Sequence, residues 1–218
     1  MKYSKIFVIG FNKTATSTLH ELFIENKLNS QHANYDKWNI NKYTCFSDIS
    51  IKGTIWNNSD WKNIEKKYSN AIFILNTRGL YDWLISRFKH GLRENNKTKF
   101  PWAYPPTLEK CKEWVNTREQ YYLDILEYFS DKQEKLIIIN IDKDGWQEYL
   151  SKILNFKITH VKSINVHKTQ LQNIEHINIV NIVNECLKIM NYDKTQLLIK
   201  NTNLLNKYLK LYINNILE

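Results

Sequence analysis

Cysteine is scarce in this chain of 218 residues, and the three present, Cys45, Cys111 and Cys186, lie far apart and in no CxxC or CxxH pattern. An odd, scattered set argues against a disulfide framework and against a zinc site, and it suits a reducing compartment. Glycine numbers five and proline three. No Gly/Ser stretch and no internal repeat marks a linker, so residues 1–218 read as a single domain, long enough to bury its own core. Long apolar runs are missing too. The charged start, Met1 to Lys5, is followed by an apolar run from Ile6 to Ile9 only. That run is too short for a signal peptide or a membrane span, so the expectation is a cytoplasmic protein with no membrane partner.

The composition that remains is globular: 43% hydrophobic and 24% charged residues leave no room for wholesale disorder. Lysine and arginine exceed the acidic residues by nine. This suits an anionic ligand, but the lysines are spread along the chain rather than gathered in a block, so the charge does not argue for nucleic acid.

Three short apolar segments read as strands: Lys5–Gly10 (KIFVIG), Ala71–Asn76 (AIFILN) and Leu136–Asn140 (LIIIN). Each runs into a helical pattern, namely Thr16–Asn26, about Leu80 to Lys89, and a segment carrying Trp146, Tyr149, Leu150, Ile153 and Leu154. Strands alternating with helices indicate parallel βαβ units, hence an α/β fold whose central, mainly parallel sheet is covered on both faces to make three layers. Leu108–Phe129 reads as a long amphipathic helix, preceded by a polar and then proline-rich stretch, Gly91–Thr107, of surface-loop or lid character. From about residue 170 to 218 the pattern is helical, a tail expected to pack rather than to do chemistry.

The first unit has the order strand, tight loop, helix. A helix N-terminus offers unpaired N–H groups and the positive end of its dipole, to which Lys13 adds a full charge. Thr14, Thr16, Ser17 and Thr18 add hydroxyls around Ala15. The loop is not the Gly-x4-Gly-Lys-Ser/Thr nucleotide loop: its lysine comes three residues after Gly10, and no Lys-Ser/Thr pair follows a second glycine to hold magnesium. A plain Thr-rich helix start with a stray lysine is the competing reading. The sequon Asn12-Lys13-Thr14 lies inside this loop, and a glycan there would destroy the site. In the second unit Arg78 falls just past a strand, at the carboxyl edge where open α/β sheets bind ligands. Ser86 follows eight residues later. An arginine fork grips phosphate and a serine hydroxyl completes the contact; a capping arginine and a solvent-facing serine are the alternative.

Taken together, these residues resemble the sulfotransferase superfamily, whose 5′-phosphosulfate loop reads approximately Lys-x-Gly-Thr-Thr-Ser-Leu. Here Lys13-Thr14-Ala15-Thr16-Ser17-Thr18-Leu19 stands in its place, and Arg78 with Ser86 reproduces the spacing of the 3′-phosphate site. Phe46–Ile49, Phe73–Arg78 with Trp83, the Asp144-Gly145-Trp146 turn and Ser163–Val166 extend the likeness over about residues 5–168. It leaves the tail uncovered. Ala15 stands where glycine is commoner, tolerable at negative φ and strained otherwise.

The resemblance implies a P-loop domain that moves a sulfuryl group from 3′-phosphoadenosine 5′-phosphosulfate to a hydroxyl or amine of a small-molecule or glycan acceptor. Adenosine 3′,5′-bisphosphate would be the product, and no metal would be needed. It implies that Lys13, Thr14, Ala15, Thr16, Ser17, Thr18, Arg78 and Ser86 bind the donor, and that Lys13 also offsets charge on the leaving phosphate. The proton-accepting base differs between branches of the family. Asp48 occupies about the right segment and is the first candidate; it also suits a turn or cap. His20, His32 and His90 follow, while His167 and Lys168 are placed near the donor from the C-terminal side. Trp102 and Tyr104 are an aromatic wall for the acceptor or simply loop packing. A P-loop kinase of small metabolites and an inactive nucleotide-binding relative are the rival readings.

Overall fold

The computed structural model describes residues 4–33, 39–48, 60–92, 105–156, 173–196 and 199–200. They gather into two compact units interleaved along the chain: 4–77 with 124–156, and 78–123 with 173–200.

The first unit holds a five-stranded sheet of order β2-β3-β1-β4-β5, parallel at every pairing. Its strands are β1 (Lys5–Val8), β2 (Ser30–His32), β3 (Cys45–Ser47), β4 (Ala71–Thr77) and β5 (Leu136–Asn140). All seven residues of β4 and all five of β5 are buried, as expected of strands with both faces covered. On one face Ile6, Val8, Ile72, Ile74, Ile137 and Ile139 pack with Leu19, Leu22 and Phe23 of α1 (Thr16–Glu25) and Leu150 and Leu154 of α5 (Trp146–Leu154). On the other, Phe7 stacks with Phe46 and Phe73 at 5.2 and 5.5 Å, and Phe129 joins Phe73 to Trp61 of α2 (Asp60–Lys67). The alternation of isoleucine and phenylalanine along β1 and β4 thus divides the core between the two helical layers. The buried Glu65 on α2 accepts hydrogen bonds from Tyr128, Lys132 and Lys135, tying α2 to the connection that enters β5.

The strands read from apolar runs are present, as β1, β4 and β5. Two strands and α2 are additions. β2 (SQH) and β3 (CFS) are three residues each, too short and too polar to show a hydrophobic period.

The second unit is helical: α3 (Leu80–Gly91), the first sixteen residues of α4 (Leu108–Tyr128), and α6 (Asn173–Met190). Its centre is built on two buried arginines. The Arg87 guanidinium lies 5.0 Å from the Trp83 ring and 4.3 Å from the Trp114 ring. That of Arg118 lies 4.9 Å from Trp83 and 5.1 Å from Tyr122. Aromatic faces replace part of the lost hydration of these cations. Even so, burial pushes the Arg87 guanidinium down to about 9, with Glu113 opposing the shift. The chain beyond α6 is tied back by Tyr81 N–H to the Lys194 carbonyl (3.0 Å) and by Glu119, which accepts from the Tyr192 hydroxyl and from Lys200 N–H. Among the described residues no helix is long and apolar enough to cross a membrane.

Candidate functional site

β1, β2 and β3 all end at the carboxyl edge of the sheet, and each is followed by a residue in the left-handed region. Lys13 (φ 67°) and Ala15 (φ 65°) follow β1, Ala33 (φ 58°) follows β2, and Asp48 (φ 54°) follows β3. Among the described residues the other non-glycine ones of this kind, Lys27, Asn155 and Asn191, terminate or follow helices, where such a conformation is ordinary. Non-glycine residues pay for left-handed backbone, and its concentration at one sheet edge is typical of ligand clamps and active sites.

The loop from Gly10 to Ala15 is held from β4. The Asn76 side chain accepts from Gly10 N–H at 3.0 Å and donates to the Thr14 hydroxyl at 2.8 Å and to the Thr14 carbonyl. The Thr14 hydroxyl in turn donates to the Phe11 carbonyl. Its single proton is therefore used inside the loop, so Thr14 shapes the loop and offers no hydroxyl proton to an anion. Lys13 and Ala15 carry positive φ on either side of Thr14, whose own N–H turns back onto the Phe11 carbonyl at 3.3 Å; left-handed residues in such a turn are a feature of backbone anion sites. Ala15 precedes α1, which starts with no side-chain cap; its first intrahelical bond is Leu19 N–H to the Ala15 carbonyl, at 3.0 Å. The N–H groups of Thr16, Ser17 and Thr18 thus face the loop end of the helix, where the dipole is positive. Thr16 and Thr18 are buried and Ser17 is half-buried. The condition set by the sequence for an unstrained Ala15 fails, since its φ is positive.

Beside this loop stands a polar cluster from α1, β2 and β3. His32 Nε2 lies 3.2 Å from Ser17 Oγ and 3.8 Å from Asp48 Oδ2, and His32 Nδ1 lies 2.8 Å from Ser47 Oγ. His20 stacks on His32 with ring centroids 5.4 Å apart, and its Nδ1 lies 2.9 Å from Ser30 Oγ. Burial, and then His32, hold the His20 imidazole below its usual range. Burial drives the Asp48 carboxyl above the usual carboxylate range, against the opposing pull of His32 and Lys13. Two histidines, a raised carboxyl and a lysine within one electrostatic neighbourhood are the features that mark proton-handling sites.

Asp48, His32 and His20 are therefore brought together next to the loop. His90 lies elsewhere, near the end of α3 in the second unit. Arg78 directly follows β4, and its carbonyl accepts from Arg118 Nη2 at 2.5 Å; Ser86 is half-buried in the middle of α3. Trp102, Tyr104, Ser163–Val166, His167 and Lys168 lie outside the described residues. Asn76, Ser47 and Ser30 are missing from the sequence-derived set. A polar Asn near the end of an otherwise apolar buried strand was the available signal for the first; nothing in the sequence singles out the two serines. Among the described residues no three His, Cys, Asp or Glu side chains are grouped to hold a metal ion.

Compared with known proteins, the chain matches no protein-family model and no curated protein.

Proposed function

We propose that this protein is a sulfotransferase that takes its sulfuryl group from 3′-phosphoadenosine 5′-phosphosulfate. The observation that carries the reading is the start of α1, which has no side-chain cap and lies behind the left-handed turn at Lys13 and Ala15, so that its first-turn N–H groups suit an oxyanion. The Lys13-to-Leu19 motif and the Arg78/Ser86 spacing supply the choice of donor through their family likeness.

The donor supplies the sulfuryl group, which passes to an acceptor hydroxyl or amine by in-line displacement at sulfur. Lys13 and the first-turn N–H groups of α1 hold the 5′-phosphate side and stabilise the charge that grows on the leaving oxygen. Arg78 and Ser86 are assigned to the 3′-phosphate by the resemblance. Asp48, ionised, takes the acceptor's proton; its raised affinity for a proton makes it a stronger base than an exposed aspartate. The acceptor is a small molecule or a glycan, and the proposed location is the cytoplasm.

The reading is tested by thermal shift with adenosine 3′,5′-bisphosphate against ATP with magnesium. Stabilisation by the bisphosphate at concentrations where ATP does little is expected. Equal stabilisation by both, or by neither, would count against the donor assignment and return a small-metabolite kinase or an unrelated binding module to the front.

A further inference from the structure

The hydrogen-bond geometry around His32 determines where the proton of Ser17 points. Ser47 is fully buried, and its hydroxyl meets His32 Nδ1 at 2.8 Å. On the other side of the ring, the carboxylate of Asp48 is 3.8 Å from Nε2. A negative charge facing Nε2 favours placing the ring proton there, and Nδ1 then accepts the Ser47 hydroxyl proton, which has no other partner among the described residues. With Nε2 protonated, Ser17 Oγ at 3.2 Å is the acceptor of that bond. Its own proton is then directed elsewhere, from the second position of α1, beside the first-turn N–H groups of that helix.

We infer that His32 is a positioning residue: it fixes the Ser17 hydroxyl as a donor to the bound anion, and Ser47 and Asp48 fix His32. The inference rests on the loop being the anion site proposed above. The charged and titratable groups facing the ring are His20 on α1, stacked on it; Asp48 after β3; and Lys13 in the loop. Glu21 acts on His20 from the same helix. Burial and the neighbouring ring keep His20 neutral, so His20 does not compete for the Asp48 carboxylate. None of these groups donates to Ser17 in place of His32.

The test is a double-mutant cycle on binding of two probes, inorganic pyrophosphate and adenosine 3′,5′-bisphosphate, to the full chain. Ser17→Ala should weaken binding about fivefold, the scale of one hydrogen bond. His32→Ala should weaken it to a similar extent, and the double variant should be no worse than either single one. His32→Gln, whose amide nitrogen reaches the place of Nε2, should bind within about twofold of the parent, whereas His32→Asn, which reaches only the place of Nδ1, should resemble His32→Ala. Imidazole nitrogen chemical shifts of the unaltered protein at pH 8 check the same point without any substitution: the proton should be on Nε2. Additive losses of about twenty-fivefold, or a proton on Nδ1, would overturn the inference while leaving the donor assignment intact. Pyrophosphate binding that depends on His32, with no binding of the bisphosphate, would keep the inference and remove the donor assignment. Failure of both probes to bind would remove both.

Discussion

A methyl group placed on Gly10 would fall 2.2 Å from both the carbonyl oxygen and the side-chain oxygen of Asn76. The absence of a side chain at Gly10 is what lets β4 reach across and clasp the loop, and the fully buried Asn76 amide makes its side-chain hydrogen bonds there. Gly10→Ala should cost about 1–3 kcal/mol through overpacking. Asn76→Ala should cost about 2–3 kcal/mol, because it leaves Gly10 N–H and the Thr14 groups without their buried partner. Urea unfolding measures both. If Asn76→Ala unfolds with the parent's midpoint, the clasp is not what holds this loop.

Ala15 tests the backbone of the same loop. At φ 65° an alanine carries a left-handed penalty of about 1 kcal/mol that glycine does not. Part of the gain from Ala15→Gly is returned through the freer unfolded chain, at about 0.4–1 kcal/mol. The variant should therefore melt at the parent's Tm or a few degrees above it, with anion binding preserved. A clear fall in Tm would mean that the Ala15 methyl, which packs against the core beside α1, contributes more than its backbone costs.

The fold was legible where apolar runs were long enough to declare a buried strand, as in AIFILN and LIIIN, and where the strands alternated with helical periods. The edge beyond β1 was not: SQH carries no hydrophobic signal, and it becomes a strand only because β3 offers it a ladder. This is why His32 ranked low among the candidate bases. Its partners Ser17 and Ser47 are each fifteen residues away in sequence and meet it only once three strands lie side by side. Asp48 could be located from its segment, but its burial and its left-handed backbone could not. The division of the residues into two units left no compositional trace, since the chain passes from one to the other between Thr77 and Arg78 and again within the continuous helix α4.

Arg78 and Ser86 are assigned by spacing, so they need a ligand-based test. Arg78→Ala should weaken adenosine 3′,5′-bisphosphate binding by about 2–5 kcal/mol if the ion pair is desolvated. Ser86→Ala should cost about 1 kcal/mol. Both losses should shrink when adenosine 5′-phosphate, which lacks the 3′-phosphate, is the titrant in calorimetry. Losses of the same size with either ligand would mean that these residues do not read that phosphate.

His20 contributes a stability term with a definite sign. Its folded-state proton affinity is lowered by burial and by His32, so the unfolded chain binds the proton more readily. The stabilisation from a neutral His20 is present above the ordinary imidazole value of about 6.5 and is lost as pH falls through that value toward the lower folded one. His20→Gln should flatten the stability profile between about pH 7 and 5 while leaving stability at pH 8 nearly unchanged. Parallel profiles for variant and parent would show that His20 is not held in its neutral form by the fold.

Asp48 has the opposite sign, and its prediction separates chemistry from folding. Burial raises its folded-state proton affinity, so its contribution is most favourable below the ordinary carboxylate value of about 3.9 and is lost as pH rises toward the higher folded value. At neutral pH the folded protein carries a carboxylate it would hold more cheaply protonated. Asp48→Asn removes that burden and places at φ 54° a residue that accepts left-handed backbone readily. The variant should therefore be more stable than the parent at pH 7, and the difference should narrow toward pH 4. If Asp48 is the base, the same substitution should lower turnover of a true acceptor by about 10²- to 10⁴-fold, with bisphosphate affinity near that of the parent. A protein that gains stability, keeps its ligand and loses its activity would identify a carboxylate held in an unfavourable place for the sake of proton transfer. An Asp48→Asn protein with normal turnover would remove Asp48 from the chemistry and pass the role to His20, whose imidazole is held in its neutral form beside His32. An Asp48→Asn protein less stable than the parent at pH 7 would instead make the carboxylate a structural partner of His32, with its attraction outweighing the cost of burial.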